Sequence, residues 1–278
     1  MKILCPTDFS VTALNGIEYA ARMAQNLQAS LTLMNVQHFY ITDGVTMFAG
    51  GVPKSEEEAR ASKELMELEC EKVKSTFDIP CDYRIITSYA SFEDVIDDES
   101  EKYDFIVMGT NGLDTTYQYY FGSNSYRLAK KSNCPVLIVP MNSRFEEIKN
   151  FVFASAYQPG DELLFRQLKQ FMTRLPLAAD FKMHVLHVSD PDNRINDESY
   201  QFFCEKVEEA LGHTEKINFL RIVSEDESKE IDDFLFSHEA AFLAVMMEKH
   251  GFFYRLFHES LVQKLTAYAT NPILVFFD

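Results

Sequence analysis

Three glycines and a serine, spaced Gly-x2-Gly-x9-Gly-Ser, give the clearest chemical signal in this chain of 278 residues. Gly109 and Gly112 allow the backbone to approach a ligand where a Cβ atom would collide. Gly122 and Ser123 stand where a helical pattern begins, and the first backbone N–H groups of a helix have no partner within it. Those N–H groups and the positive end of the helix dipole attract phosphate. The spacing therefore indicates an anion site, and the missing Walker lysine excludes a P-loop.

The elements on either side of these glycines favour the same interpretation. Phe105 to Met108 is a short apolar run with the length of a buried strand, and the pattern from Asn124 onward is helical. Asn133-Cys134-Pro135 ends that helix, and Val136 to Val139 is a second apolar run. A glycine loop between a strand and a helix is the expected context of a phosphate site. The alternative is a long loop whose glycines serve only its turns.

Strands and helices alternate along the whole chain, and the second half repeats the order of the first. Phe242 to Met246 matches Phe105 to Met108, for example. A repeat of this length indicates a duplicated domain rather than a solenoid. The predicted domains are residues 1–141 and 150–278, and each should contain a parallel sheet covered by helices on both faces.

Ligands of such sheets bind beyond the carboxyl ends of the strands, where the strand order reverses. Asp8 lies just past the first apolar strand, Lys2 to Pro6, and Gly109 lies just past the fourth. If those two strands are neighbours, the carboxylate and the glycine loop meet at one crevice. Ser10 is expected to cap the helix that follows the first strand.

The glycine motif, in this strand-to-helix context, resembles the nucleotide motif of the universal stress protein family. The resemblance covers essentially the whole chain, because each half resembles one domain of the family. It implies an α/β fold with two tandem, doubly wound, five-stranded parallel sheets of strand order 3-2-1-4-5, the adenine nucleotide alpha hydrolase-like architecture. It also implies that the halves pair through their final strands as a pseudo-dimer, and a homodimer of two chains is a further expectation.

The resemblance implies an adenine nucleotide in the first half, position by position. In the family an acid bonds the ribose, a second-strand backbone position reads the adenine edge, and a glycine turn binds the phosphates. The matching residues are Pro6, Asp8, Val36, Met108, Gly109, Gly112, Gly122, Ser123, Asn124 and Ser125. ATP is the expected ligand. AMP or ADP is the alternative, because the nine residues before Gly122 include no Lys or Arg and Arg127 is the nearest cation.

The second half departs from the motif at its chemical positions. Asp8 matches Ala156, Gly109 matches Met247, and the Gly122-Ser123 pair matches Glu259-Ser260. A carboxylate at the start of a helix repels phosphate, although it caps the helix well. The nucleotide is therefore expected in the first half only.

Composition excludes several classes of partner and compartment. A formal net charge of −17 argues against nucleic acid and against an anionic membrane surface, and it makes Mg²⁺ a reasonable companion of a bound nucleotide. The five cysteines are scattered without a C-x-x-C pair, which favours reduced thiols over disulfides or zinc. The chain shows no signal peptide and no apolar run of membrane-spanning length, so a soluble, cytoplasmic protein is expected.

The leading hypothesis is an adenine-nucleotide-binding stress regulator with a protein partner of unknown identity. No nucleophile, general base or metal cluster stands out, so no catalytic or metal-ligating residues are predicted and any ATP hydrolysis is expected to be slow. The alternative is a nucleotide-free scaffold. In that case the aromatic stretches Tyr117 to Phe121 and Phe252 to Phe257 would contact a partner or a small apolar ligand.

Three further patterns have structural interpretations. His184 and His187 are three apart on a strand and point to opposite faces, so separate structural roles are expected. The acidic run from Glu93 to Glu101 is expected to be a solvated helix face rather than a divalent-ion site. Phe39 to Pro53 is predicted to be a loose loop, either a lid over adenine or an ordinary connection.

Overall fold

The structure of the chain is a computed structural model, and its described residues divide into two compact units. The first unit ends at Met141 and the second begins at Asn142. The described residues are 1–42, 45–48, 56–110, 123–155, 161–173, 175, 177–189, 191–193, 195–212, 217–238, 241–247 and 271–277.

The first unit is a parallel sheet with helices. Its described elements are β1 (Lys2–Pro6), α1 (Val11–Leu27), β2 (Ser30–Thr42), β3 (Val45–Phe48), α2 (Glu56–Phe77), β4 (Cys81–Ser88), α3 (Phe92–Ser100), β5 (Phe105–Thr110), α4 (Ser123–Lys131) and β6 (Val136–Pro140). Five strands pair in parallel in the order β4-β2-β1-β5-β6. With β3 set aside, this is the order 3-2-1-4-5, and the predicted fold is confirmed.

The sheet of the first unit is covered by an amphipathic helix that starts where the sequence predicts. Ser10 caps α1, because its hydroxyl accepts a hydrogen bond from the Ala13 N–H at 3.3 Å. The helix buries a stripe of small and branched side chains that includes Ile17 and Ala20. Strands such as Val136–Pro140 are buried along their whole length, as expected for a parallel sheet between helices.

The prediction of a loose loop over residues 39–53 is wrong in its first part, which forms a hairpin. β2 continues to Thr42 and pairs antiparallel with β3, from Phe39 opposite Phe48 to Thr42 opposite Val45. The dipeptide Asp43-Gly44, which is typical of two-residue hairpin turns, is the sequence signal that predicts this pairing. Residues 43–44 and 49–55 lie outside the described residues, and so does that part of the lid hypothesis.

The second unit repeats this architecture. Its described elements are β7 (Ile148–Ala154), α5 (Asp161–Met172), β8 (Leu177–Ser189), α6 (Asp197–Leu211), β9 (Ile217–Val223), α7 (Glu227–Ser237), β10 (Ala241–Met247) and β11 (Ile273–Phe277). The strands pair in parallel in the order β9-β8-β7-β10-β11. Residues 248–270 lie outside the described residues, and with them Glu259, Ser260 and the aromatic stretch Phe252 to Phe257.

The two units also repeat individual backbone hydrogen bonds. Thr7 N donates to Met34 O at 2.8 Å in the first unit, and Ser155 N donates to Leu186 O at 3.0 Å in the second. Both bonds join the residue after the first strand of the unit to the strand beside it. The second unit therefore keeps the backbone arrangement at the carboxyl edge of the sheet, where the first unit has its predicted site.

Candidate functional site

The turn after β1 holds the predicted ribose-binding carboxylate at the surface. Asp8 is exposed, and its Oδ1 accepts a hydrogen bond from the Ser10 N–H at 2.9 Å. Phe9 has a φ of 63°, in the left-handed region that bulky side chains rarely adopt. Its N–H donates to Thr7 Oγ1 at 3.0 Å. Local hydrogen bonds thus stabilise a strained turn that fixes Asp8 just beyond the end of the strand.

Amide side chains fix the neighbouring strand at the same edge. Asn35 Nδ2 donates to the Thr7 carbonyl O at 2.8 Å, and Gln37 Nε2 donates to Asn35 Oδ1 at 3.0 Å. Val36 lies between these two residues, is half-buried and stands two positions beyond the partner of Pro6 in β2. Its backbone, predicted to read adenine, is therefore close to the level at which β1 ends.

Gly109 is required by the packing of α1 against β5. An added Cβ atom on Gly109 would lie 2.0 Å from the Thr12 carbonyl O and 3.3 Å from the Ala13 Cα. On the helix side, a Cβ atom on Gly16 would lie 2.7 Å from the Gly109 backbone N. The sequence interpretation assigned Gly109 to close approach of a ligand, but a helix occupies the space that its side chain would take. The sequence does not identify Gly16 as the residue that faces Gly109, because a single glycine inside a helical pattern does not show which residue lies beside it.

The helix that follows β5 begins where the phosphate site was predicted. Ser123 and Asn124 are the first two residues of α4, and Ser125, the third, is buried. The first N–H groups of such a helix have no partner within it. Met108 is half-buried and lies two residues before the end of β5. Gly112 and Gly122 lie outside the described residues, so their part of the site remains a prediction.

Two cations of α4, Arg127 and Lys131, pair with acids of α3. Arg127 Nε lies 3.5 Å from Glu93 Oε1, and the Glu93 side chain is only 10% exposed. Lys131 pairs with Asp94 in the same way. The prediction of a solvated acidic face is therefore wrong for Glu93 and for Glu99, whose side chain is 12% exposed. A phosphate at the start of α4 would have to compete with Glu93 for the Arg127 guanidinium.

The second unit makes an equivalent contact at its sheet edge with a different residue type. His187 Nδ1 lies 3.0 Å from the Ser155 carbonyl O, which corresponds to the bond from Asn35 to Thr7 in the first unit. The match of Asp8, Ala156, directly follows Ser155 in the sequence and lies outside the described residues. The sequence does not reveal this contact, because a histidine and an asparagine at matching positions do not look related. Both side chains nevertheless bond a backbone carbonyl oxygen here.

The strand register corrects one residue of the predicted match between the halves. β6 and β11 each begin directly after a proline, which aligns Val139 with Phe276. Gly109 is opposite Val139, and Met246 is opposite Phe276. The residue equivalent to Gly109 is therefore Met246 rather than Met247. The conclusion that a methionine replaces the glycine is unchanged.

The two histidines of β8 have separate partners, which confirms the expectation of separate structural roles. His184 Nε2 lies 3.0 Å from Asn150 Oδ1, and its ring packs against Phe234 and His238. His187 contacts the Ser155 carbonyl instead. Across the part of the chain that the structure describes, no three His, Cys, Asp or Glu side chains are grouped as metal ligands would be. Within the same ranges, every helix is too short or too polar to span a membrane.

Comparisons with known proteins agree with this fold. The profile of the universal stress protein family matches residues 1–140. No curated protein sequence matches the chain. The crystal structure of a universal stress protein from Archaeoglobus fulgidus DSM 4304 aligns with 99% of this chain and 97% of its own, at 16% identity and a TM-score of 0.72. A candidate universal stress protein from Pseudomonas aeruginosa aligns with 99% of this chain and 92% of its own, at 13% identity and a TM-score of 0.62.

Proposed function

Because the chain belongs to the universal stress protein family, we propose that its first unit, residues 1–141, binds an adenine nucleotide at the carboxyl edge of its sheet. The observation that supports this most directly is the position of β1 between β2 and β5. Asp8 lies just past the end of β1, and Val36 in β2 and Gly109 in β5 lie near the same level on the two adjacent strands. This is the point of reversed strand order, where ligands of doubly wound sheets bind.

Each part of the edge has a distinct role in this proposal. The Asp8 carboxylate, fixed by the Ser10 N–H, bonds the ribose hydroxyls. The Val36 backbone reads the adenine edge, and Met108 packs beside the base. The N–H groups at the start of α4, from Ser123 to Ser125, bind the phosphates together with the preceding glycine turn.

We propose that the second unit, residues 150–278, does not bind a nucleotide. Its equivalent of Asp8 is Ala156, its equivalent of Gly109 is Met246, and its match to Gly122 is Glu259. The nucleotide in the first unit would then act as a regulatory ligand rather than a substrate. The signal would pass to a protein partner, and any ATP hydrolysis would be slow and incidental.

Substitution of the ribose and phosphate contacts tests the nucleotide site. We expect Asp8→Ala and Gly122→Glu each to weaken ATP binding at least about tenfold, through loss of the ribose contact and repulsion of phosphate respectively. Isothermal titration of the full chain with Mg²⁺-ATP measures this. Asp82→Ala is the matched control, because Asp82 is an exposed acid at the opposite, amino-terminal edge of the same sheet. Equal affinity in all four proteins would refute the site.

Removal of Mg²⁺ tests how the phosphates are neutralised. Since Arg127 already pairs with Glu93, we expect chelation of Mg²⁺ to weaken ATP binding several-fold and AMP binding much less. Titration of each nucleotide with and without EDTA measures the difference. Glu93→Gln is the companion variant, because it releases the Arg127 guanidinium and should restore part of the ATP affinity without metal. Equal losses of affinity for ATP and for AMP after chelation of Mg²⁺ would contradict this account.

A further inference from the structure

Two cysteines that are well separated in the sequence meet between a helix and a strand of the first unit. Cys70 lies on α2, Cys81 begins β4, and the two thiol groups lie close enough for each to influence the other. Both are reduced and buried, at 2% and 7% exposure. Cys70 belongs to the buried stripe of α2 that includes Met66 and Val73 and packs toward the sheet. The juxtaposition is thus built into the packing of the helix on the sheet.

A cleft reaches Cys81 of this pair from solvent. It has a volume of about 670 Å³ and is lined by the starts of β2 and β4 and by the end of α2, including Cys81, Lys74 and Asp82. It opens at the amino-terminal edge of the sheet, away from the proposed nucleotide site at the carboxyl edge. A small oxidant can therefore approach the Cys81 side without displacing a nucleotide.

The surroundings keep the pair reduced at rest. Burial is the main influence and raises the pKa of both thiols above their usual values. The contact between the thiols lowers the pKa of Cys70 and raises that of Cys81 further, while the Lys74 ammonium lowers both. Both groups are thus protonated at neutral pH. Their reaction with oxidants is slow and accelerates with rising pH, because the thiolate is the nucleophile.

We propose that Cys70 and Cys81 form an intramolecular disulfide when the protein meets a hydroperoxide. With hydrogen peroxide, the Cys81 sulfur attacks one peroxide oxygen, which yields a sulfenic acid and releases water. The Cys70 sulfur then attacks the Cys81 sulfur, which displaces a second water molecule and forms the S–S bond. The two sulfurs together lose two electrons, the peroxide gains them, and the two thiol protons leave in the water.

The bond would tie α2 to an edge of the sheet. Among the described residues, β4 pairs only with β2. No described strand pairs with its other edge. A link across the 10 residues between Cys70 and Cys81 restricts the unfolded chain and holds the helix on the strand. We expect the oxidised protein to melt several degrees higher than the reduced protein, and a thiol reductant to reverse the shift.

Peptide mapping of the full chain tests the proposal. The protein is treated with hydrogen peroxide at pH 8, alkylated, digested with trypsin without reduction and analysed by mass spectrometry. Trypsin cuts after Lys72 and Lys74, which separates the two cysteines unless a disulfide joins them. The expected product is one linked pair of peptides, with a loss of about 2 Da from the intact chain. Cys204→Ser, in the second unit, should give the same linked pair, and Cys70→Ser should give none.

Two outcomes would overturn the proposal. One is recovery of Cys70 and Cys81 in separate peptides, alkylated or oxidised to sulfinic acid, after the wild-type protein has consumed peroxide. The other is a linked pair that involves Cys5, Cys134 or Cys204. The wild-type result needs no substitution, so it is decisive even if Cys70→Ser fails to fold.

Discussion

We expect Gly109→Ala to destabilise the first unit by about 3 kcal/mol, the upper part of the range for overpacked sites. The added methyl group would lie 2.0 Å from the Thr12 carbonyl O and 2.7 Å from the Thr12 carbonyl C. These are backbone atoms of the first turn of α1, so no side-chain rotation relieves the clash and the helix must move away from β5. Urea denaturation of wild type and variant measures the change in the free energy of unfolding.

The same variant separates two reasons for a glycine at this position. If Gly109 serves only the approach of a ligand, Gly109→Ala unfolds at the wild-type urea concentration and loses nucleotide affinity alone. If Gly109 serves the packing of α1, the urea concentration at the midpoint of unfolding falls whether or not a nucleotide is present. Glu18→Ala is the control, because it changes an exposed residue of α1 whose ion pair with Arg22 contributes only a few tenths of a kcal/mol. An unchanged midpoint in Gly109→Ala would refute the packing account.

The alternation of strands and helices was predictable because buried parallel strands leave a simple record in the sequence, whereas the strand order followed from the resemblance to the universal stress protein family. Phe105 to Met108 and Val136 to Val139 are continuous apolar runs, and helices with regular apolar spacing separate such runs from one another. The duplicated pattern then supplied the same order twice. The cap of α1 was equally local, because Ser10 accepts the hydrogen bond expected of an N-cap residue.

The contacts that decide the chemistry of the site were not predictable, because they join residues distant in sequence. Periodicity shows that one face of α1 is buried, but not that Gly16 faces Gly109. It shows that α3 is acidic, but not that Glu93 takes the Arg127 guanidinium. In the same way, periodicity does not show that the Cys70 thiol lies close to the Cys81 thiol. Each such pair depends on how far a helix is shifted along the sheet, and a single sequence does not record that shift.

We expect His184 to make the second unit acid-sensitive, with a loss of about 2 kcal/mol of stability between pH 7 and pH 5. The side chain is buried, and its Nε2 donates to Asn150 Oδ1 at 3.0 Å in the neutral form. Burial, followed by the charges of His238 and Lys182, lowers the pKa of His184 from 6.5 to about 4. Between those two values the unfolded chain binds a proton that the folded chain does not.

The sign of the effect follows from this difference in bound protons. Stability from the neutral imidazole is fully present above pH 6.5, falls as the pH drops and stops falling near pH 4, where both states are protonated. Carboxylates also titrate in this range, so wild type must be compared with His184→Gln, which lacks the imidazole. We expect the variant to be less stable at pH 7 and to lose clearly less than wild type between pH 7 and pH 5. Parallel pH profiles in urea denaturation would show that His184 titrates normally in the folded unit.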